Sequence, residues 1–290
     1  MRVAVTGATG TIGRAVVSAL CERGDEVTEL SRATNWPAPS EEPAPADALS
    51  GRDAVVNLLG EQIAQRWSDK SKVEIRNSRI LGTRNLVAGL RALPEAERPK
   101  VLVSQSGVGF YGARGDEPVF EDAAAGGDYL SHVVVDWEAE ARAAEELGVR
   151  VVLTRTGVVL SPSGALRKML PFFKAGIGGP VAGGRQYMPW IHLDDVVGAI
   201  LFALDTPALS GPVNVTAPDP PTNKEFSRAL GRVLHRPAFA PVPAVALKAL
   251  YGEMAFIVAT GQRAVPARLL ESGYVFRRPE LEAALRDATS

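Results

Sequence analysis

Little in this chain invites disulfides, metals or membranes. Its 290 residues hold one cysteine, Cys21, and three histidines, His132, His192 and His235. A lone cysteine builds no disulfide framework, so a reducing, cytoplasmic setting is expected. Cys21 falls on the first predicted helix and reads as a small core residue or, alternatively, a reactive thiol. No His, Cys and carboxylate cluster has metal-ligand spacing, and Gly-x-Ser-x-Gly is absent. Charge of one sign is lacking too. With 32 basic and 33 acidic residues the net charge is −1, which gives no reason to expect nucleic acid as a partner. No apolar run approaches the roughly 20 residues that span a bilayer, and the apolar start at Val3 is too short for a secretory signal. No repeat recurs at a solenoid period. What remains is a chain that is 46% hydrophobic, enough to core one large domain or one and a half.

The first thirteen residues carry the strongest signal. The run Val3-Ala4-Val5 leads into Thr6-Gly7-Ala8-Thr9-Gly10-Thr11-Ile12-Gly13, and Ala15, Val16, Ala19 and Leu20 follow at helical spacing. This reads as a buried strand, a tight turn and the start of a helix. Glycine permits a positive φ and lets backbone approach a ligand closely. The free N–H groups of the helix start favour a phosphate. A glycine triplet alone is weak, but a strand before it and a helix after it are the context the motif requires. A second strand, 26–30, ends in Ser31-Arg32. An acid there would hold the free ribose of NAD. Ser31 and Arg32 instead suit a 2′-phosphate, so NADP is expected, unless Arg32 is an ordinary solvated charge.

Residues 33–53 are rich in Pro, Ala and Glu and read as an irregular surface crossing with at most a short strand at 34–36. The run Ala54-Val55-Val56-Asn57-Leu58-Leu59-Gly60 is a buried parallel strand ending beside the expected cofactor. A helix over 69–93, a strand over 100–104, a helix over 138–147 and a strand from 150 follow. Alternating strands and helices predict an α/β fold with a doubly wound parallel sheet. Residues 1–160 would form this dinucleotide-binding domain, completed by 188–205 before the chain leaves it for good. The remainder of 161–290 would form a smaller part covering the substrate side.

Several motifs now coincide in order. Besides the glycine turn, they are Asn57-Leu-Leu-Gly-Glu61 with Arg66-Trp67, Ser78-Arg79-Ile-Leu-Gly-Thr83, Ser106-Gly-Val-Gly-Phe-Tyr-Gly112 and Asp136-Trp137-Glu138. Pro189-Trp-Ile-His192 and Gly261-Gln-Arg-Ala-Val-Pro266 with Leu270-Glu-Ser-Gly273 complete the set. Together they resemble the extended short-chain dehydrogenase/reductase superfamily, and within it the atypical NADP-binding, epimerase-like subfamily. The resemblance implies a Rossmann domain with phosphates on Gly7, Thr9, Gly10, Thr11, Ile12 and Gly13. It places the adenosine phosphate at Ser31 and Arg32, and adenine or its ribose against Leu58 and Leu59. It adds Glu74 and Arg79 to the cofactor site, although a helix-surface ion pair is the other reading of those two.

Catalysis is where the chain departs from the family. The resemblance assigns Ser106 to polarise a carbonyl or hydroxyl, assisted by a Tyr and by a Lys four residues later. Counted back from Glu138, those two positions hold Leu130 and Val134, and no lysine lies between Lys100 and Lys168. Tyr129 is one place off, and a phenol of pKa about 10 without a nearby cation is a poor base. Leu130 and Val134, a helical turn apart, should form a dry patch beside Ser106, with Tyr129 turned away. His192 reads as an acid–base group or as a buried, hydrogen-bonded residue. Asp194 or Asp195 reads as a helix N-cap. Gly176 to Gly184, with Arg185-Gln186-Tyr187, is either a loop over the cleft or a packed connector. The expected function is an NADP(H)-dependent oxidoreductase or epimerase for an unidentified sugar- or carbonyl-type molecule. The alternative is a non-catalytic NADP(H) sensor. A homodimer is left open.

Overall fold

The structure, a computed structural model, describes residues 1–31, Trp36 and 42–290. Arg32 and Thr34 lie outside the described residues.

The inner strands of the central sheet are buried along most of their length, as a sheet covered on both faces requires. The edge strand at 26–30 buries only Leu30. Strand β1 (Arg2–Thr6) leads into helix α1 (Thr11–Glu22), then β2 (Glu26–Leu30), a short α2 (Ala46–Leu49) and β3 (Ala54–Asn57). The long α3 (Asp69–Arg91) precedes β4 (Val101–Gly107), a two-residue β5 (Pro118–Val119), α4 (Tyr129–Arg142) and β6 (Arg150–Thr156). After these come β7 (Val158–Leu160), α5 (Gly164–Lys174), β8 (Trp190–His192), α6 (Leu193–Asp205) and β9 (Gly211–Val215). The chain ends with α7 (Asn223–Val233), α8 (Ala244–Tyr251), α9 (Met254–Ala259), β10 (Arg263–Ala264), α10 (Ala267–Glu271) and α11 (Leu281–Thr289).

Six strands pair in parallel in the order β2-β1-β3-β4-β6-β9. Alternation along β1 sends Val3 and Val5 to one face and Ala4 to the other, as a period of two dictates. On the first face α1 and α6 supply Val16, Leu20, Ile200 and Ala203. On the second, Leu86, Leu90 and Ala141 of α3 and α4 pack against Val55 and Leu102. The sheet is doubly wound, as the alternation of elements predicts. Its order reverses at β1, between β2 and β3, and the crevice above such a reversal is where open α/β sheets take ligands.

Four expectations are corrected. The chain does not leave the sheet after 205. It re-enters at β9, whose Val213 and Val215 join the α1/α6 cluster and whose backbone pairs with the otherwise open edge of β6. Helix α4 starts at Tyr129 rather than 138, with Asp128 accepting from Ser131 N at 3.0 Å. Its valines favour a strand locally, but burying Leu130, Val133, Val134, Trp137 and Ala141 on one stripe overrides that preference. Cys21 is exposed, because Gly13, Val16 and Leu20 form the buried stripe and the next residue lies about 100° further round. Finally, the α6 cap is His192, whose Nδ1 accepts from Asp194 N at 3.2 Å. Asp195 is drawn inward instead, accepting from the Tyr274 hydroxyl and from the backbone N–H groups of Arg277 and Arg278.

Beyond the sheet, α5, α7 and α11 enclose a separate cluster around Phe173, Trp190, Phe226, Leu230 and Leu285. Met254 of α9 reaches back to Trp67, Ile75, Leu130 and Val134, so the C-terminal residues lie across the ends of α3 and α4. Among the described residues, no helix is long and apolar enough to cross a membrane.

Candidate functional site

The glycine turn sits at the carboxyl end of β1, and its glycines are sterically required. Gly7 has φ +66°, and a Cβ there would lie 2.5 Å from the carbonyl oxygen of Leu58. A Cβ on Gly13 would lie 2.2 Å from the oxygen of Gly7. Gly10 caps α1 without a side chain, and no acid occupies the first turn. The positive end of the helix dipole is therefore left for a ligand. Thr9, through its carbonyl, holds Arg14 at 2.6 Å, and the Thr11 hydroxyl shares a hydrogen bond with Ser163 at 2.8 Å. Ile12 packs on the core. Leu58 adjoins Gly7, and Leu59 rests on Gly82, where a Cβ would come within 3.1 Å of its side chain. Ser31 follows β2 and accepts from Trp36 N at 3.3 Å.

Beneath these residues a buried polar network fixes the strand ends. Asn57 donates to Thr83 and to Ser104, both at 3.0 Å, and accepts from Thr6 at 2.8 Å. The Trp137 indole donates to Thr83 at 2.9 Å. Asn57 interrupts an otherwise apolar run, and that lone polar residue is the sequence signal of this buried network.

Arg79 is the unusual cation of the site. It is 7% exposed, donates Nη1–H to the Ile75 carbonyl at 3.1 Å and lies 5.1 Å from the Trp137 ring. Its Nε has no partner among the described residues. Burial pulls its pKa down to about 10, against the opposing influence of Glu61. Glu74 lies about 140° away round α3, exposed and loosely paired with Lys70 at 3.9 Å. The helix thus brings only Arg79 inward.

Ser106 ends β4, as the resemblance implies, yet it is 3% exposed and donates its hydroxyl to Glu138 Oε1 at 2.6 Å. Glu138 is in turn forked by Arg155 Nε and Nη2, both at 2.8 Å. Arg155 also donates to Tyr111 Oη and to the Glu121 carbonyl at 3.0 Å each, and lies 3.4 Å from the Phe110 ring centroid. In the structure the Ser106 hydroxyl thus joins a buried chain of polar groups running through Glu138 to Arg155. Leu130 and Val134 lie in the apolar cluster with Trp67 and Ile75, and Tyr129 donates to the Lys72 carbonyl at 2.7 Å. Burial raises the Tyr129 phenol pKa, against the opposing pull of Lys72, Arg76 and Arg79. Lys72 Nζ stands 4.7 Å from the ring centroid, so the expectation of a phenol without a nearby cation is corrected.

His192 is buried, with Nε2 at 3.1 Å from Asp287. Asp194 lies beside it, but Arg278 reaches both carboxylates, at 3.5 and 3.3 Å, and supplies their positive charge. The glycine-rich 176–184 segment is a packed connector. A Cβ on Gly179 would lie 2.1 Å from the Ala240 oxygen, and Gln186 Nε2 donates to Val181 and Val258 carbonyls.

Glu121 is buried and accepts from Asn214 N at 3.0 Å and Arg268 N at 3.2 Å. Burial raises its pKa despite these bonds. The folded state therefore holds the proton more tightly than the unfolded chain, and wild-type stability falls as pH climbs through and above the ordinary carboxylate range. Glu121→Gln keeps both acceptor bonds without the ionisable group. Its stability relative to wild type in urea should rise from pH 4 to pH 7. A constant difference across that range would contradict the assignment.

Against known proteins, residues 3–216 match the model of the NAD dependent epimerase/dehydratase family. The chain belongs to that family. Residues 242–288 match a domain of unknown function (DUF1731). An epimerase family protein of Mycobacterium bovis is 44% identical over 99% of this chain and 97% of its own. The human epimerase family protein SDR39U1 (isoform 2), solved with NADPH, aligns with TM-score 0.88 and 36% identity over 100% of this chain and 99% of that one. A nucleoside-diphosphate sugar epimerase from Corynebacterium glutamicum aligns at 0.79 with 31% identity, over 100% of this chain and 58% of that chain. The epimerase-family chain is thus an extended short-chain dehydrogenase/reductase with a Rossmann-like fold, as its motifs indicate.

Proposed function

We propose that this epimerase-family chain binds NADP(H) at the carboxyl ends of β1, β3 and β4 and acts as an oxidoreductase or epimerase on a small sugar- or carbonyl-type molecule. The observations that carry the reading are the uncapped start of α1 at the carboxyl end of β1 and the buried cation Arg79, whose Nε is unpartnered. Both fit a dinucleotide's phosphates, and the human relative solved with NADPH supports the choice. Gly7, Thr9, Gly10, Thr11, Ile12 and Gly13 would hold the pyrophosphate, with Leu58 and Leu59 against the adenosine. Ser31 and Arg32 would take the 2′-phosphate, and Glu74 would be a rim contact for a hydroxyl. Bound NADP(H) supplies or accepts hydride. The chain's own residues orient the ligand and exclude water, with Leu130 and Val134 forming the dry wall.

A second reading, an NADP(H) sensor without turnover, is favoured by one observation: the Ser106 proton is held by Glu138 and the neighbouring stripe of α4 is apolar. Calorimetry separates the cofactors. Arg32→Ala should weaken NADPH by roughly tenfold to a hundredfold, the size of one charge-assisted phosphate contact, and leave NADH nearly unchanged. Equal losses for both would refute the NADP assignment. A screen of sugars and carbonyl compounds for NADPH oxidation then decides turnover. Any turnover sinks the sensor, and tight binding with none weakens the enzyme.

A further inference from the structure

Gln105 carries an unanswered acceptor at the carboxyl end of β4. Along this strand Val101 and Val103 face the α1/α6 layer, and Leu102 faces the α3/α4 layer. By the same alternation Ser106 belongs to the α4 side and Gln105 to the side of α1 and the glycine turn. Gln105 Nε2 donates to the Ser106 carbonyl at 3.2 Å. Its Oε1 is buried and has no partner. Flipping the amide would set oxygen against the Ser106 oxygen, so Nε2 faces that carbonyl and Oε1 is the unanswered atom. A buried acceptor without a donor carries a desolvation cost that folding does not recover, and such groups call for a specific explanation.

Position supplies one. With pyrophosphate at the start of α1, the adenosine half of a dinucleotide extends towards β2 and Ser31. The other half must then cross β3 towards β4, on the opposite side of the reversal in strand order. The only hydrogen-bond donor on a nicotinamide ring is its carboxamide N–H. We propose that Gln105 Oε1 accepts a hydrogen bond from the nicotinamide carboxamide, an inference that rests on NADP(H) occupying the cleft.

Binding of NADPH and of 2′,5′-ADP, which keeps the adenosine phosphates and lacks the nicotinamide, tests it by calorimetry. Gln105→Leu should weaken NADPH about three- to tenfold, the usual range for one neutral hydrogen bond, and leave 2′,5′-ADP unchanged. NADPH affinity within twofold of wild type would overturn the inference. A second arm needs no variant. The wild type should bind NADP+ about three- to tenfold more tightly than its 3-acetylpyridine analogue, in which a methyl replaces the carboxamide amine. Equal affinities would overturn the assignment even if Gln105→Leu did not fold. A wild type that binds neither NADPH nor 2′,5′-ADP would instead remove the cofactor reading, and the role of Gln105 with it.

Discussion

Arg155→Met is expected to destabilise the folded chain by about 3–5 kcal/mol, the range for leaving a buried charge unpaired. Arg155 and Glu138 are 3% and 4% exposed, and the two 2.8 Å contacts of the guanidinium fork are the bonds that neutralise Glu138. Burial alone would lower the Arg155 pKa, but pairing with Glu138 more than offsets it, and the net shift is upward. Removing the guanidinium also strips partners from Tyr111 Oη and the Glu121 carbonyl. Urea denaturation at neutral pH measures the loss. The double variant Arg155→Met with Glu138→Met should recover much of it, since an apolar pair of similar volume is often no worse than a buried ion pair. A single-variant loss below about 1 kcal/mol would show that water reaches this pair. A double variant no better than the single would show that packing, rather than charge, is at stake.

Gly13→Ala should be the most damaging small change in the cofactor cleft. Its Cβ would stand 2.2 Å from the Gly7 oxygen and 2.8 Å from Ala8 Cα, all backbone. No rotamer relieves a clash with main chain, so α1 must shift away from the turn. Overpacking of this kind costs about 1–3 kcal/mol. The displaced helix start would also lose charge-assisted contacts to the pyrophosphate, each about 1.5–3 kcal/mol. NADPH affinity should therefore fall about tenfold to a hundredfold or more, with a lower denaturation midpoint. Gly115→Ala, where a Cβ meets nothing within 4 Å, is the control and should change neither. Unchanged NADPH binding in Gly13→Ala would separate the glycine turn from the ligand altogether.

These two residues mark the border between what sequence and structure each contribute. Gly13 was legible because a glycine between an apolar run and a helical stripe has few uses, and its constraint is local: it acts through Gly7 and Ala8, a few residues away. The parallel, doubly wound sheet was legible for a similar reason, since runs such as Val3 to Val5 and Val55-Val56 need burial on both faces wherever they sit. The spacing of Leu130 and Val134 could likewise be counted along one helix, but that Lys72 of α3 stands 4.7 Å from the Tyr129 ring could not.

Arg155 was another matter. In the sequence it ends an apolar strand and reads as ordinary; only the pairing of β4 with β6 and the docking of α4 set it against Glu138, 17 residues away. The same contacts made Ser106 a donor to a buried carboxylate. Helix α4 began nine residues before 138 because burial of its stripe outweighed the strand preference of its valines. His192 rather than an aspartate capped α6, since the amides of Arg277 and Arg278 claimed Asp195 from more than 80 residues away. Propensity, periodicity and glycine spacing act over a few residues, so the chain alone determined the sheet, the turn and the cofactor class to be tested. Partners for buried polar groups come from whichever segments the fold packs together, so only the tertiary structure decided which side chains are free to meet a ligand.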